Sequence, residues 1–328
     1  MAYSGKVVRK VLNSFENKEK AAVLAAKNRK KELYKKLPEL VRIDERLAET
    51  RKEIVGSMIN PGDDMRLKLD NIKKNNKNLQ QQRKLILEQS GYAENYTEPV
   101  YECKSCEDTG YKDGGMCGCL KRALVTESIN ESGFGEIIKS QTFKNFSLDY
   151  YKKGKLDESG LSEYENMATV VESCRNYAKK FDQPNYVKHL MFIGGTGLGK
   201  THLSSAIAND VIKKGYDVCY DSARSILYSF EKERFSRRDE FDSDIIERYM
   251  NCDLLIIDDL GTEYTGTMYV SSLYNIINIR LMENKGLIIS TNFSQKDIAE
   301  KYDERIYSRL IAEFAVVNFV GDDVRFQK

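Results

Sequence analysis

Along the first ninety residues, apolar positions recur at helical spacing and polar residues fill the gaps. Leu40, Ile43, Leu47 and Ile54 follow an Ala-, Lys-, Glu- and Leu-rich stretch from Lys18 to Lys36, which predicts one or two long helices. Asn60-Pro61-Gly62-Asp63-Asp64 interrupts them, because proline removes a backbone donor and glycine and aspartate favour turns. A second helical stretch follows, with Leu69, Ile72, Leu79 and Ile86 on one side. The stripes are narrow. They suit a helical hairpin packing on itself or on a partner better than a globular core, and a solvated stalk fits them equally.

The pattern changes further on. Leu120 to Ser132 reads as a helix, and Thr142-Phe143-Lys144-Asn145-Phe146 as an extended lead-in whose aromatic residues anchor it to the next domain. Leu161, Tyr164, Ala168, Val171, Cys174, Ala178 and Phe181 then fall at three- and four-residue steps, predicting a helix. From there short apolar runs alternate with helical patterns. Strands are expected at His189–Ile193, Asp217–Tyr220, Leu254–Asp258, Leu287–Ser290 and Val316–Val320, and helices at Thr201–Lys214, up to about Asn251, at Tyr269–Glu283 and as two short pieces after Ser290. Strands separated by helices imply an α/β fold with a parallel sheet covered on both faces.

A chain of 328 residues suggests about two domains, and 41% hydrophobic residues suffice for a substantial core. No apolar run approaches the ~18 residues that span a bilayer, and Met1 to Lys10 lacks the apolar segment of a leader, so a cytoplasmic protein without membrane association is expected. The net charge of +2 hides a split. Residues 1–90 carry 22 Lys+Arg against 12 Asp+Glu, whereas the remainder carries 30 against 38. The basic part would face an acidic partner or simply be solvated.

Of seven cysteines, four cluster as Cys103-x2-Cys106-x10-Cys117-x-Cys119, while Cys174, Cys219 and Cys252 stand apart as core candidates. Clustering in a cytosolic chain favours a metal over disulfides. Four thiolates complete a tetrahedral Zn²⁺ shell with no open position, so the ion would fold a small knob at about 100–122 rather than catalyse. A redox pair, free thiols or an iron–sulfur cluster are the alternatives. With only His189 and His202 in the chain, a histidine-based metal site or triad has no material.

The densest chemistry lies in Gly194-Gly195-Thr196-Gly197-Leu198-Gly199-Lys200-Thr201, which fits G-x-x-x-x-G-K-[ST] between an apolar run and an amphipathic one. The glycines let backbone N–H groups turn around a triphosphate, Lys200 neutralises its β and γ oxygens, and Thr201 offers a hydroxyl to Mg²⁺. The strand Leu254-Leu255-Ile256-Ile257-Asp258-Asp259 ends in two acids: Asp258 would hold Mg²⁺ and Asp259 would polarise the attacking water. The next strand ends in Ser290-Thr291-Asn292, where Asn292 is placed to reach the γ-phosphate or the water.

These motifs, together with Asp258-Asp259-Leu260-Gly261 and Glu304-Arg305-Ile306-Tyr307-Ser308-Arg309-Leu310, resemble in order and spacing the AAA+ ATPases of the DnaC/DnaI type, the bacterial replicative helicase loaders. The resemblance covers roughly residues 140–328 in detail. It implies Asn292 as sensor 1, Arg309 as arginine finger, Arg305 as a neighbouring basic residue and Arg325 at the sensor 2 position. The cysteine segment looks like the helicase-binding front of the DnaI-like branch. The implied organisation is a helical helicase-docking domain at 1–135, a linker at 136–160 and an AAA+ ATPase domain at 161–328.

By that resemblance ATP, Mg²⁺ and Zn²⁺ are the cofactors, and the partners are the hexameric replicative helicase, single-stranded DNA and further copies of the ATPase domain. Candidate DNA contacts are Ser222-Ala223-Arg224 and the run Lys232, Arg234, Arg237 and Arg238, with Tyr228 or Phe230 for stacking, although Glu231, Glu233, Asp239 and Glu240 interleave. Two other readings stand beside the loader. One is a transposition helper ATPase of the IstB type; the other is a nucleotide-gated adaptor with little turnover, suggested by Asp259 where most AAA+ proteins carry glutamate.

Overall fold

In the computed structural model the described residues are 3, 5–59, 65–131, 134–154, 160–235, 244–262 and 267–326. The turn expected at 60–64, the Arg234 side chain, and Arg237 and Arg238 lie outside them. Two compact units are distinguished, residues 13–109 and residues 1–12 with 110–328.

The first unit contains most of helix α1 (Gly5–Lys36), then α2 (Glu39–Ile59) and α3 (Met65–Gln89). Pro38 separates α1 from α2, and α2 packs along α3 as the hairpin pattern predicts. The narrow stripes produce a thin core, in which Leu33, Leu40 and Leu87 are buried with Tyr34, Tyr92 and Tyr96 packed against them. Polar pairs supplement it. Arg83 donates to Asp44 at 2.8 Å and Thr50 to Asn76 at 2.6 Å.

The second unit begins, after the first turns of α1, with a hairpin of β1 (Tyr111–Lys112) and β2 (Gly115–Met116), followed by α4 (Gly118–Glu131) and α5 (Gly135–Ser140). The hairpin turn places Asp113 and Gly114 at φ of 52° and 76°, the left-handed pair that a two-residue connection requires. Helix α6 (Glu163–Lys179) opens on a capping box between Ser162 and Glu165. Its buried face is Met167, Val170, Val171, Cys174, Tyr177 and Ala178. Leu161, expected to begin that stripe, precedes the helix and is exposed.

The remaining elements are β3 (His189–Ile193), α7 (Lys200–Lys213), β4 (Val218–Ser222), α8 (Ala223–Phe235), α9 (Asp244–Asn251), β5 (Leu254–Leu260), α10 (Thr267–Met282), β6 (Gly286–Thr291), α11 (Gln295–Lys301), α12 (Glu304–Glu313) and β7 (Ala315–Asn318). The five strands β3 to β7 form one parallel sheet in the order β4-β5-β6-β3-β7. Successive side chains on a strand face opposite ways. Met191, Leu255, Ile257, Leu287 and Ile289 join Leu227, Leu273, Ile276 and Leu310 from the helices on one face. The intervening Phe192, Ile256 and Ile288 are also buried, and α7 packs on β4, β5 and β6. Coverage of both faces explains why β5 and β6 read as unbroken apolar runs.

The strand order sets the chemistry of the sheet's C-terminal edge. Because β6 lies between β3 and β5, the residue that follows it, Asn292, falls between the loop after β3 and the acids of β5. Ligands of open α/β sheets bind at that edge.

Candidate nucleotide site

Residues 194–199 join β3 to α7, and Gly199 caps the helix at φ 88°. A Cβ on Gly199 would approach Phe146 to 2.8 Å, and one on Gly197, at φ 75°, would overlap the Asp323 carboxylate. Both positions therefore require glycine for conformation and for space. Lys200, only 5% exposed, donates to the carbonyls of Gly194 and Gly195 at 2.6 and 2.7 Å and to Asn292 Oδ1 at 2.7 Å. Burial lowers its pKa, while Asp259 and Asp258 oppose that shift. The Lys200 partners include two neutral carbonyls, which an anion entering the loop would replace with a charged one.

Asp258 is buried and its carboxylate is fully engaged. It accepts from the Thr201 hydroxyl at 3.0 Å, from the Tyr220 phenol at 3.1 Å and from the Ser290 hydroxyl. Three hydroxyl donors satisfy the buried carboxylate oxygens beside the first turn of α7. Strand β5 does not end at the two acids, as the sequence suggests, but runs to Leu260 through a register shift between Ile257 and Leu260. Asp259 occupies that bulge at φ 54°, and its N–H donates to Ser290 Oγ at 2.9 Å. A bulge re-aims a side chain. Here it leaves Asp258 buried and turns Asp259 toward the cavity, where burial and then the Asp258 charge push the Asp259 carboxyl above its ordinary range.

The cavity measures about 490 Å³, the size of a small-molecule site. Its walls fall into two chemical sets. Lys200, Thr201, Asp259, Asn292 and Arg325 are the polar set, together with the loop residues Thr196, Gly197, Leu198 and Gly199. Arg325 forms a bidentate pair with Asp323, at 2.9 Å from Nε and 2.6 Å from an Nη, and Val324 N–H donates to Gly197 O at 3.2 Å, fastening this segment on the loop. Arg305 and Arg309 do not line this cavity. Arg305 pairs with Asp303 at 2.7 Å and lies 5.4 Å from the Tyr274 ring, whereas Arg309 is half-buried and has no ion-pair or hydrogen-bond partner among the described residues.

The second set comes from residues that sequence reasoning did not assign to the site. Gln141, Asn145, Phe146, Tyr150 and Tyr151 line the cavity. The lead-in expected at 142–146 as extended chain is instead a turn, closed by Asn145 Oδ1 accepting from the Thr142 N–H and hydroxyl, each at 2.8 Å. Its aromatic residues do anchor it, and the anchor is the phosphate loop itself. Tyr151 donates to Leu198 O at 3.0 Å, and Phe146 stands edge-on to His202 at 5.1 Å. The aromatic content of 143–151 was the available signal.

The cysteine segment is described locally. The sulfurs of Cys103, Cys106, Cys117 and Cys119 all lie within 4.8 Å of one another. Asp108 supports them by accepting from the N–H groups of Glu102 and Cys103 at 2.9 and 2.8 Å. A zinc–sulfur distance of ~2.3 Å gives tetrahedral sulfur separations of roughly 3.8 Å, so this set fits the ion with small adjustments. Among the candidate DNA contacts, Phe230 packs against the core, while Tyr228 is 61% exposed.

Residues 179–328 match the family model of the IstB-like ATP binding proteins. The replicative helicase loader DnaC of Escherichia coli (strain K12) is 24% identical over 187 residues, 57% of this chain and 69% of DnaC. The chromosomal replication initiator DnaA of Helicobacter acinonychis is 31% identical over 167 residues, 48% of this chain and 35% of DnaA. The crystal structure of DnaI superposes with a TM-score of 0.44 at 18% identity, covering 57% of this chain and 92% of that one. The parallel sheet and the match over residues 179–328 make this part of the chain similar to the IstB-like ATP binding proteins. In sequence the chain is similar to the replicative helicase loader DnaC. No helix among the described residues is long and apolar enough to cross a membrane.

Proposed function

We propose that the protein is an ATP-dependent loader that delivers the hexameric replicative DNA helicase to single-stranded DNA in the cytoplasm. The observation that carries this reading is the relationship to DnaC across 69% of DnaC's length, in a domain with a phosphate loop, a buried Asp258 and Asn292 around one cavity. In this reading Lys200 and the loop N–H groups hold the triphosphate, and Thr201 with Asp258 holds Mg²⁺, which neutralises phosphate charge when bound. Asp259 orients the attacking water, and Asn292 and Arg325 sense the γ-phosphate. Arg309, half-buried and with no side-chain partner among the described residues, serves as the finger offered to a neighbouring copy, so that hydrolysis depends on assembly. Cys103, Cys106, Cys117 and Cys119 hold a structural Zn²⁺ in the helicase-docking front of the chain.

A second reading, an ATPase helper of transposition, is favoured by the family match over 179–328. Size-exclusion of the full chain with a replicative helicase, with ATP present, separates the two. A loader co-elutes with the helicase hexamer; a transposition helper elutes alone.

A further inference from the structure

We propose that Tyr220 is a positioning residue for the pair Thr201 and Asp258, holding the Asp258 carboxylate so that the Thr201 hydroxyl presents its free lone pairs to Mg²⁺. This rests on the reading of that pair as the metal end of a triphosphate site. The pair fits such an ion. Both groups are oxygen ligands, the kind Mg²⁺ takes, and a hydroxyl that donates its one proton to a carboxylate keeps two lone pairs for a cation. What the fit requires is a carboxylate that does not turn. Asp258 is gripped on each oxygen, Oδ1 by the Ser290 hydroxyl and Oδ2 by the Tyr220 phenol at 3.1 Å as well as by Thr201.

Tyr220 of β4 is in register with Ile256 of β5, two residues before Asp258, so both side chains leave the same face of the sheet. Helix α7 packs on β4 and β5, and its Ser204, one turn beyond Thr201, meets the Tyr220 oxygen at 2.8 Å. The proton positions follow from the charges. A carboxylate can only accept, so the Tyr220 proton is directed to Asp258. The Ser204 proton, shared with Thr201 O at 3.1 Å, is then the one left to face the phenol oxygen. The result is a relay from α7 through β4 to β5. With Tyr220 2% and Ser204 0% exposed, water does not compete for it. The Phe134 ring packs against that of Tyr220, with centroids 4.7 Å apart. A phenylalanine at 220 keeps this packing and loses the donor.

The test compares the full chain with Tyr220→Phe and Ser204→Ala. Binding of a fluorescent ATP analogue is measured first in EDTA and then against Mn²⁺ concentration, Mn²⁺ standing in for Mg²⁺. Loss of a hydrogen-bond partner behind a metal ligand costs roughly 10- to 100-fold in metal affinity. Tyr220→Phe should therefore raise the Mn²⁺ concentration for half-maximal tightening about tenfold, with affinity in EDTA unchanged. Ser204→Ala should raise it by a smaller factor. A half-maximal Mn²⁺ concentration within about twofold of the wild type in Tyr220→Phe overturns the role of Tyr220. So does an equal loss of affinity in EDTA, which a packing defect would give. No effect of Mn²⁺ on the wild type, or no binding of the analogue, overturns the parent reading instead.

Discussion

The Lys200 ammonium and the Asn292 side-chain carbonyl, 92 positions apart in the chain, meet at 2.7 Å. The contact exists because β6 separates β3 from β5, bringing the end of one strand beside the loop that follows another. In the proposed reading it joins the group that would hold phosphate charge to one that would sense it. Lys200→Ala should weaken ATP binding about 100-fold, since it deletes a charge-assisted contact. Asn292→Ala should leave affinity within about threefold and cut turnover roughly 100-fold. Titration with a fluorescent ATP analogue and steady-state phosphate release measure the two effects separately.

Asp259 predicts opposite effects on activity and stability. Burial and the neighbouring Asp258 raise its pKa, so turnover should fall with acidification at a higher pH than an ordinary carboxylate would give. Asp259→Asn should remove that limb and lower turnover about 100-fold at neutral pH. For stability the sign is reversed: a carboxyl whose folded pKa exceeds its unfolded one contributes stability below the unfolded pKa and loses it as pH rises through the folded value. Asp259→Asn, which tolerates the same left-handed backbone, should therefore melt higher than wild type at pH 7. The gain should vanish in acid. Melting curves across pH decide it.

Arg309 tests assembly. Arg309→Ala and Lys200→Ala should each be inactive alone, with losses of about 1,000-fold for the finger. Mixed in equal amounts, they should recover part of the wild-type rate, because Lys200→Ala chains supply Arg309 to intact loops in the other variant. A mixture as inactive as its components would remove the finger role.

The cysteine set predicts close to one zinc per chain in metal analysis of the purified protein. Cys103→Ser should lower occupancy, and mild acid should release the ion as the thiolates protonate. Less than about a tenth of an equivalent in the wild type would exclude the metal.

How much of this was legible in the sequence follows from the range of each signal. The phosphate loop and the strands are local patterns, so Lys200, Thr201 and the boundaries of β3 can be read directly from spacing. The bulge at Asp259 is not local, since it depends on Ser290 of β6 holding the Asp259 N–H. The return of 141–151 over the loop depends on Tyr151 bonding Leu198, 47 residues away, and a run of aromatics cannot announce its target. Arg325 is identified by resemblance alone, and its pairing with Asp323 is visible only in the fold. Arg309 was read by resemblance, and a single chain leaves it outside the cavity.

The central claim is tested most directly by loading itself. The full chain, a replicative helicase and circular single-stranded DNA are combined with ATP, and DNA-bound helicase is counted after gel filtration. The account predicts several-fold more bound helicase with the wild-type chain and ATP than without the chain, and no gain with Lys200→Ala. Equal retention with and without the wild-type chain would contradict it.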